Sequence, residues 1–285
     1  MSQPHTARLM DGARLARDLV ERTTDKVAAL TRETGTPPCL ATVLVGDDPA
    51  SVTYVRMKRA RCEKAGIRSR HVALPAATTT TELVGAVAAL SDDPGVHGIL
   101  LQHPVGPHID ERAAFEAIAP GKDVDGVTAA SFAAMSLGLP GFVSCTPGGI
   151  MRLLEEYGVD AAGRHAVVVG RSPILGLPVG MLLLARDATV TYCHSRTRGL
   201  TDIVREADIL VAAVGRPEFI RTEDVKPGAV VVDAGYNPGN VGDVEASART
   251  RAGLITPVPG GVGPMTVAVL LAQTAEAAAR GLGTE

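Results

Sequence analysis

The stretch His165-Ala-Val-Val-Val-Gly-Arg-Ser-Pro-Ile-Leu-Gly176 decides how this chain folds. Ala166 to Val169 is an unbroken apolar run, the pattern of a strand buried on both faces in a parallel sheet. Gly170 and Gly176 bracket a turn, and Pro178 to Arg186 reads as the helix that follows. A second strand is expected at Ala188–Cys193, a helix at Leu200–Ala207, and further strands at Asp208–Val214 and Ala229–Asp233. This βαβαβ succession is the architecture of a nucleotide-binding half. A turn leaving a buried strand for a helix aims backbone N–H groups and the positive helix end at one place, where a phosphate fits. The turn is not G-x-G-x-x-G, and a tight connection with no ligand uses the same glycines.

The end of the second strand selects the nucleotide. A preference for NAD usually rests on an Asp or Glu about twenty residues past the first strand, bonded to the ribose 2′-hydroxyl. Here the strand end reads Cys193-His-Ser-Arg-Thr197, without an acid. Arg171 and Ser172 in the first turn, with Ser195 and Arg196, supply the hydroxyls and guanidinium groups that a 2′-phosphate attracts. NADP is therefore expected over NAD. Solvated arginines are the plainer reading of the same side chains.

Upstream, a different α/β pattern precedes the Gly/Pro-rich link Leu137-Gly-Leu-Pro-Gly141. The spacing predicts helices at Asp11–Thr34, from Pro49 to just before Gly66, and at Thr81–Leu90. Strands are expected at Leu40–Val45, His71–Leu74 and Val96–Leu101. Alternating helices and strands predict a second parallel sheet with helices on its faces. The division expected is 1–140, joined by a C-terminal helix at 264–285, as a substrate domain, and 141–263 as the dinucleotide-binding domain.

The first domain carries its own chemistry. Tyr54 and Lys58 lie four residues apart in Ala50-Ser-Val-Thr-Tyr-Val-Arg-Met-Lys58, and such residues are neighbours on a helix surface. A phenol beside an amine can handle protons if the lysine is drawn from about 10.4 toward neutrality. Arg56, Arg59, Arg61 and Lys64 around them also suit a plain basic surface helix. Gln102 ends the strand Val96–Leu101, where open α/β sheets place ligand contacts. Lys122-Asp-Val-Asp-Gly126 sets two carboxylates on a turn. With no further ligand nearby, they fit hydrogen bonds to a cationic or amidine-like group better than a metal, and a plain turn is the bland alternative. His71, His103 and His108 are isolated, and each reads as structural.

Composition narrows the class. The 285 residues contain 46% hydrophobic and 21% charged side chains, no Trp and only 3% aromatics, which describes a folded protein with a small-aliphatic core. A formal net charge of -3 and the lack of aromatics set among basic residues argue against nucleic acid as a partner. Cys39, Cys62, Cys145 and Cys193 form no CxxC pair, so they are expected as buried small hydrophobes. No secretory signal and no apolar stretch long enough for a bilayer are read, so a cytoplasmic location without a membrane partner is expected.

Taken in order, Val45-Gly46, Ala50-Ser51-x-x-Tyr54-Val55-x-x-Lys58, Gln102-x-Pro104, Lys122-Asp-Val-Asp-Gly126, Cys145-Thr-Pro147, Gly170-Arg-Ser172 and Pro257-Val-Pro-Gly-Gly-Val-Gly-Pro-Met-Thr266 resemble the bifunctional methylenetetrahydrofolate dehydrogenase/cyclohydrolases. The resemblance covers nearly the whole chain, and its most specific segment is Pro257–Thr266. It implies an α/β enzyme of two domains, with tetrahydrofolate derivatives in a cleft between them, NADP on a Rossmann-like domain, and a homodimer. It makes Lys58 the proton-handling group, assisted by Tyr54 and Gln102. Asp125 holds the pterin, Tyr54 stacks near the aminobenzoyl ring, and Pro259, Gly263 and Thr266 line the folate site. Gly170, Arg171, Ser172 and Ser195, with Thr146 and Tyr236, fall at the cofactor. The reaction implied is oxidation of 5,10-methylenetetrahydrofolate to the methenyl cation, then hydrolysis to 10-formyltetrahydrofolate.

The chain departs from the family pattern at His103, where Leu is common, at Tyr236, where Ile is usual, and in Ser131-Phe-Ala-Ala-Met-Ser-Leu-Gly138. Two other readings compete. A shikimate-dehydrogenase-like NADP oxidoreductase has a similar layout but gives no reason for Pro257–Thr266. A silent folate or nucleotide sensor has no need of a proton carrier.

Overall fold

The computed structural model describes residues 6–281. In chain order its elements are β1 (Arg8–Leu9), α1 (Gly12–Thr34), β2 (Cys39–Val45), α2 (Pro49–Lys64), β3 (Arg68–Leu74), α3 (Thr80–Asp92), β4 (Gly98–Leu101), α4 (Glu111–Glu116), α5 (Ala129–Leu137), α6 (Cys145–Glu156), β5 (His165–Val169), α7 (Gly176–Leu184), β6 (Thr189–Cys193), α8 (Leu200–Arg205), β7 (Ile209–Ala212), β8 (Val230–Asp233), β9 (Leu254–Ile255) and α9 (Val262–Arg280). Every expected strand and helix of the two α/β patterns is present. The short elements β1, α4, α5, α6 and β9 were not anticipated, and residues 282–285 of the expected last helix lie outside the described residues.

Packing divides the chain into two compact units. Of the described residues, one unit holds residues 6–16 together with Cys145–Thr266, and the other holds Arg17–Ser144 with residues 267–281. The observed crossing at 144/145 lies past the expected 140/141. Ser144 Oγ donates to the Gly126 carbonyl at 2.6 Å and Gln273 Nε2 donates to the Val143 carbonyl at 3.0 Å, which holds the chain in its unit up to Ser144. The N-terminal residues go with the other unit because β1 adds a strand to it. Arg8 and Leu9 pair with Leu254 and Ile255, flanked by Ala7 N–H to Arg249 O at 2.7 Å and Met10 N–H to Ile255 O at 2.8 Å.

The first unit is built on a six-stranded sheet, β1-β9-β8-β7-β5-β6, parallel throughout. Val167, Val169, Leu210, Ala212 and Val231 pack with Val204, Ile220 and Val225 in one buried cluster. Ala166, Val168, Ile209 and Val211, on the opposite face of the sheet, are buried as well, so both faces are covered, as an unbroken apolar strand requires. The helix after β5 starts at Gly176, two residues before the expected Pro178. A side-chain carbon on Gly176 would lie 2.5 Å from the Gly170 carbonyl oxygen, so only glycine lets the helix begin so close to the strand.

The second unit has a three-stranded parallel sheet, β3-β2-β4. Leu40, Val43, Leu83, Val87, Ile99 and Leu100 are among its fully buried side chains. Asp48 caps α2, its carboxylate accepting the Ser51 N–H at 2.9 Å, with Pro49 in the first turn where its missing N–H costs nothing. Thr79 and Glu82 form a capping box at the start of α3. The four cysteines are buried, as expected. One reading needs correction: α9 is long and apolar enough, by length and composition, to cross a membrane. Its apolar window is 72% buried, the condition of a core helix.

Candidate functional site

In the three-stranded unit, α2 and the end of β4 bring the predicted trio together. Lys58 is only 7% exposed, whereas the other basic residues of its helix are exposed (Arg56, Lys64) or half-buried (Arg59, Arg61). Its Nζ stands 3.3 Å from Gln102 Oε1 and 4.4 Å from the centroid of the Tyr54 ring. Gln102 is oriented by its other end, Nε2 donating to the His103 carbonyl at 2.9 Å. The amide therefore presents its oxygen to the amine and leaves the charge state of Lys58 to other influences. Tyr54 is 37% exposed, so one side of the ring meets Lys58 while part of the phenol is open. One turn further on, burial first, then the neighbouring Glu63 carboxylate, push the Cys62 thiol up to about 12, which makes it an inert packing group.

The acidic pair on the 122–126 turn separates into distinct roles. Asp123 is fully buried and accepts N–H bonds from Val127 at 3.1 Å and Thr128 at 2.9 Å, and the Ser131 hydroxyl at 2.6 Å. Lys122 is also committed, donating to the Asp93 carbonyl at 2.7 Å. Asp125 is half-buried, and its carboxylate enters none of the hydrogen bonds among the described residues. The turn behind it is rigid: Gly126 has φ +66, and a Cβ there would lie 2.5 Å from the Ser144 nitrogen. Gln273 of α9 reaches the Val124 carbonyl at 2.7 Å and fixes the same loop. Gln273 was missed in the sequence, where an amide inside a long apolar helix was its only signal. His103 packs edge-on against Phe115, with centroids 5.9 Å apart, and His108 bonds the Thr78 carbonyl at 3.1 Å; both behave structurally. No cluster of metal-ligating side chains occurs among the described residues.

In the six-stranded unit five of the six predicted cofactor residues, Gly170, Arg171, Ser172, Ser195 and Tyr236, follow the carboxyl ends of β5, β6 and β8, and the sixth, Thr146, lies at the start of α6. Gly170 has φ +133, and a side-chain carbon there would overlap the Ala213 carbonyl oxygen. The Ser172 hydroxyl accepts the Gly176 N–H at 3.3 Å, so it caps the start of α7, and Arg171 and Ser172 are exposed. Ser195 is exposed on the turn after β6, which is closed by His194 N–H to Thr197 Oγ1 at 2.8 Å. This set fits a dinucleotide: a bare backbone turn at a helix start, exposed hydroxyl and guanidinium groups, and no acid at the end of β6. Tyr236 is 73% exposed, its hydroxyl 2.8 Å from Asn240 Oδ1. Thr146 and Thr266 join through their hydroxyls at 2.9 Å, at the starts of α6 and α9. Pro259 follows a cis peptide bond and is exposed, and Gly263 has open space where a side chain would project.

Two buried acids at the ends of these strands were not singled out in the sequence. Asp233 is 4% exposed and Asp243 is fully buried. Asp233 accepts N–H bonds from Gly235, Asp243 and Val244, each at 2.9 Å. Burial pushes its carboxyl up from 3.8 to about 6, against these three donors, which favour the carboxylate. An aspartate closing an apolar strand and a Gly-Asp pair ten residues on were the available signals.

Comparison with known proteins adds the family. Residues 10–125 match the model of the tetrahydrofolate dehydrogenase/cyclohydrolase catalytic domain, and residues 144–282 match that of the family's NAD(P)-binding domain. A Streptomyces avermitilis protein named bifunctional protein FolD 1 is 76% identical over 286 residues, with 100% of each chain covered. The crystal structure of the bifunctional FolD enzyme of Campylobacter jejuni is similar at a TM-score of 0.93 and 41% identity, covering 96% of this chain and 99% of that one. The Trypanosoma brucei enzyme, crystallised with NADP and an inhibitor, gives 0.92 and 39%, covering 97% and 99%. The chain belongs to the tetrahydrofolate dehydrogenase/cyclohydrolase (FolD) family.

Proposed function

We infer that this protein oxidises 5,10-methylenetetrahydrofolate to the 5,10-methenyl cation with NADP, and hydrolyses that cation to 10-formyltetrahydrofolate. The observation that carries the hydrolytic half is the buried Lys58 amine held between the Tyr54 ring and Gln102 Oε1. A lysine kept out of water beside an oriented amide is a proton carrier in waiting, whereas a binding module gains nothing from burying an amine.

NADP, when bound, supplies the hydride acceptor. Gly170, with no side chain, would leave the backbone open to the phosphates, Arg171 and Ser172 in the turn before the helix and Ser195 after β6 would bond the 2′-phosphate, and Thr146 and Tyr236 complete the proposed cofactor set. Asp125 binds the pterin through the carboxylate that no neighbour uses, and Tyr54 stacks near the aminobenzoyl ring. Pro259, Gly263 and Thr266 contact the folate. Hydride loss from the methylene carbon needs no proton transfer, so positioning does most of the work in that step. In the second step water adds to the methenyl carbon and loses one proton. The C–N bond on the N5 side then breaks as that nitrogen gains a proton and the hydroxyl loses its own to become the formyl carbonyl, so that one proton is released overall. Lys58 takes and returns these protons, and Gln102 keeps its amine in place. A cation beside Lys58 also disfavours the ammonium form, which keeps the amine neutral and available as a base.

The proposed setting is a cytoplasmic homodimer acting on tetrahydrofolate derivatives, without nucleic-acid or membrane partners. The shikimate-dehydrogenase-like reading leaves the Pro257–Thr266 segment and the full-length similarity to FolD proteins without a reason. One assay mixture tests the function: with methylenetetrahydrofolate and NADP, the reduced cofactor forms and the methenyl absorbance then decays faster than in an enzyme-free control. Turnover of shikimate but not of the folate would overturn the reading.

A further inference from the structure

We propose that Asp243 is a positioning residue for the dinucleotide: its carboxylate fixes the backbone of Val214–Arg216, and that backbone holds the Gly170 turn in its binding shape. The proposal rests on the dinucleotide reading of this site. Asp243 has no exposed surface. Its Oδ2 accepts the N–H groups of Val214 at 2.6 Å and Gly215 at 2.9 Å, and its Oδ1 accepts the Arg216 N–H at 2.8 Å. Three consecutive backbone donors thus converge on one carboxylate, and Asn237 Nδ2 adds a fourth bond at 3.1 Å. None of the ion pairs among the described residues includes Asp243; amides alone hold its charge.

The segment so held lies against the cofactor turn. Ala213, at the end of β7, donates its N–H to the Val169 carbonyl at 2.8 Å, and its own carbonyl fills the space that a Gly170 side chain would need. Gly215, two residues further on, is left-handed, with φ +64. Asp233 fixes Asp243 in turn, its Oδ1 accepting the Asp243 N–H at 2.9 Å. All of this stands at the carboxyl ends of β5, β7 and β8, the edge where open α/β sheets take their ligands. A packing role alone needs only an apolar residue here. A buried anion answering three successive N–H groups specifies one backbone geometry.

Asp243→Asn is nearly the same size but turns one oxygen into a donor facing donors. The expected result is a KM for NADP raised at least about tenfold, the size of losing charge-assisted hydrogen bonds. Dehydrogenase kcat at saturating NADP and cofactor-free hydrolysis of methenyltetrahydrofolate, which reports folding, should stay close to wild type. An unchanged KM, or kcat and hydrolysis falling together with binding, would overturn the positioning role. Should Asp243→Asn fail to fold, Asn237→Ala removes only one of the four bonds, and its KM for NADP should rise by a smaller factor; an unchanged value would again overturn the proposal. Direct titration of the wild type with NADP separates the two claims. Wild type that does not bind sinks the dinucleotide reading and the proposal with it, while equal binding by wild type and Asp243→Asn sinks the positioning role alone.

Discussion

Asp233 shows how far a single residue's state depends on what surrounds it. Its carboxyl is raised from 3.8 to about 6 because burial outweighs three N–H donors. Between these values the native state holds a proton that the unfolded chain has released, so this group's contribution to stability is complete at low pH and is lost as pH rises toward 6. The difference is worth roughly 3 kcal/mol across the window. Asp93, Asp208 and Glu245 are shifted the other way by hydrogen bonds and act oppositely as pH falls. The informative quantity is therefore the comparison with Asp233→Asn. We expect the difference in Tm between wild type and variant to shrink as pH rises from 4 to 6 and then level off; a constant difference would contradict the raised value. Sequence alone could not sort such acids. Asp123 and Asp125 look equivalent two residues apart, yet three donors from the following turn and helix bond Asp123 and none of them bonds Asp125.

At the scale of elements, what sequence made legible is what local pattern determines. The run Ala166–Val169 could only be a strand covered on both sides, and β5 has the expected bounds of His165–Val169. The Lys58–Gln102 contact was also readable, because i,i+4 spacing and a strand end each place a side chain. The strand β1 was not readable: Arg8 and Leu9 are both exposed, and only pairing with β9 makes them a strand. Likewise the crossing near residue 144 depends on Gln273 and Ser144, bonds between residues far apart in sequence. The turns after β5 and β6 are where the proposed cofactor preference is tested. Arg171→Ala with Ser195→Ala should raise the KM for NADP by about tenfold or more, through loss of charge-assisted bonds to the 2′-phosphate, with little change for NAD. Equal loss for both dinucleotides would remove the assignment of NADP to these side chains.

For the molecule as a whole, the central claim is a division of labour between two activities on one chain. Hydride transfer depends on where the dinucleotide and the folate are held, and hydrolysis depends on an amine that can exchange protons. The features that departed from the family pattern leave this division in place: His103 is packed against Phe115, and Tyr236 bonds Asn240 at the surface. The most direct measurement is made on Lys58→Met, which keeps the length and apolar contacts of the side chain and removes the amine. In one reaction mixture, formation of reduced cofactor and decay of the methenyl species are followed together. Hydrolysis should fall to the enzyme-free rate while NADP reduction persists and the methenyl species accumulates. Full hydrolytic activity in Lys58→Met would contradict the central claim.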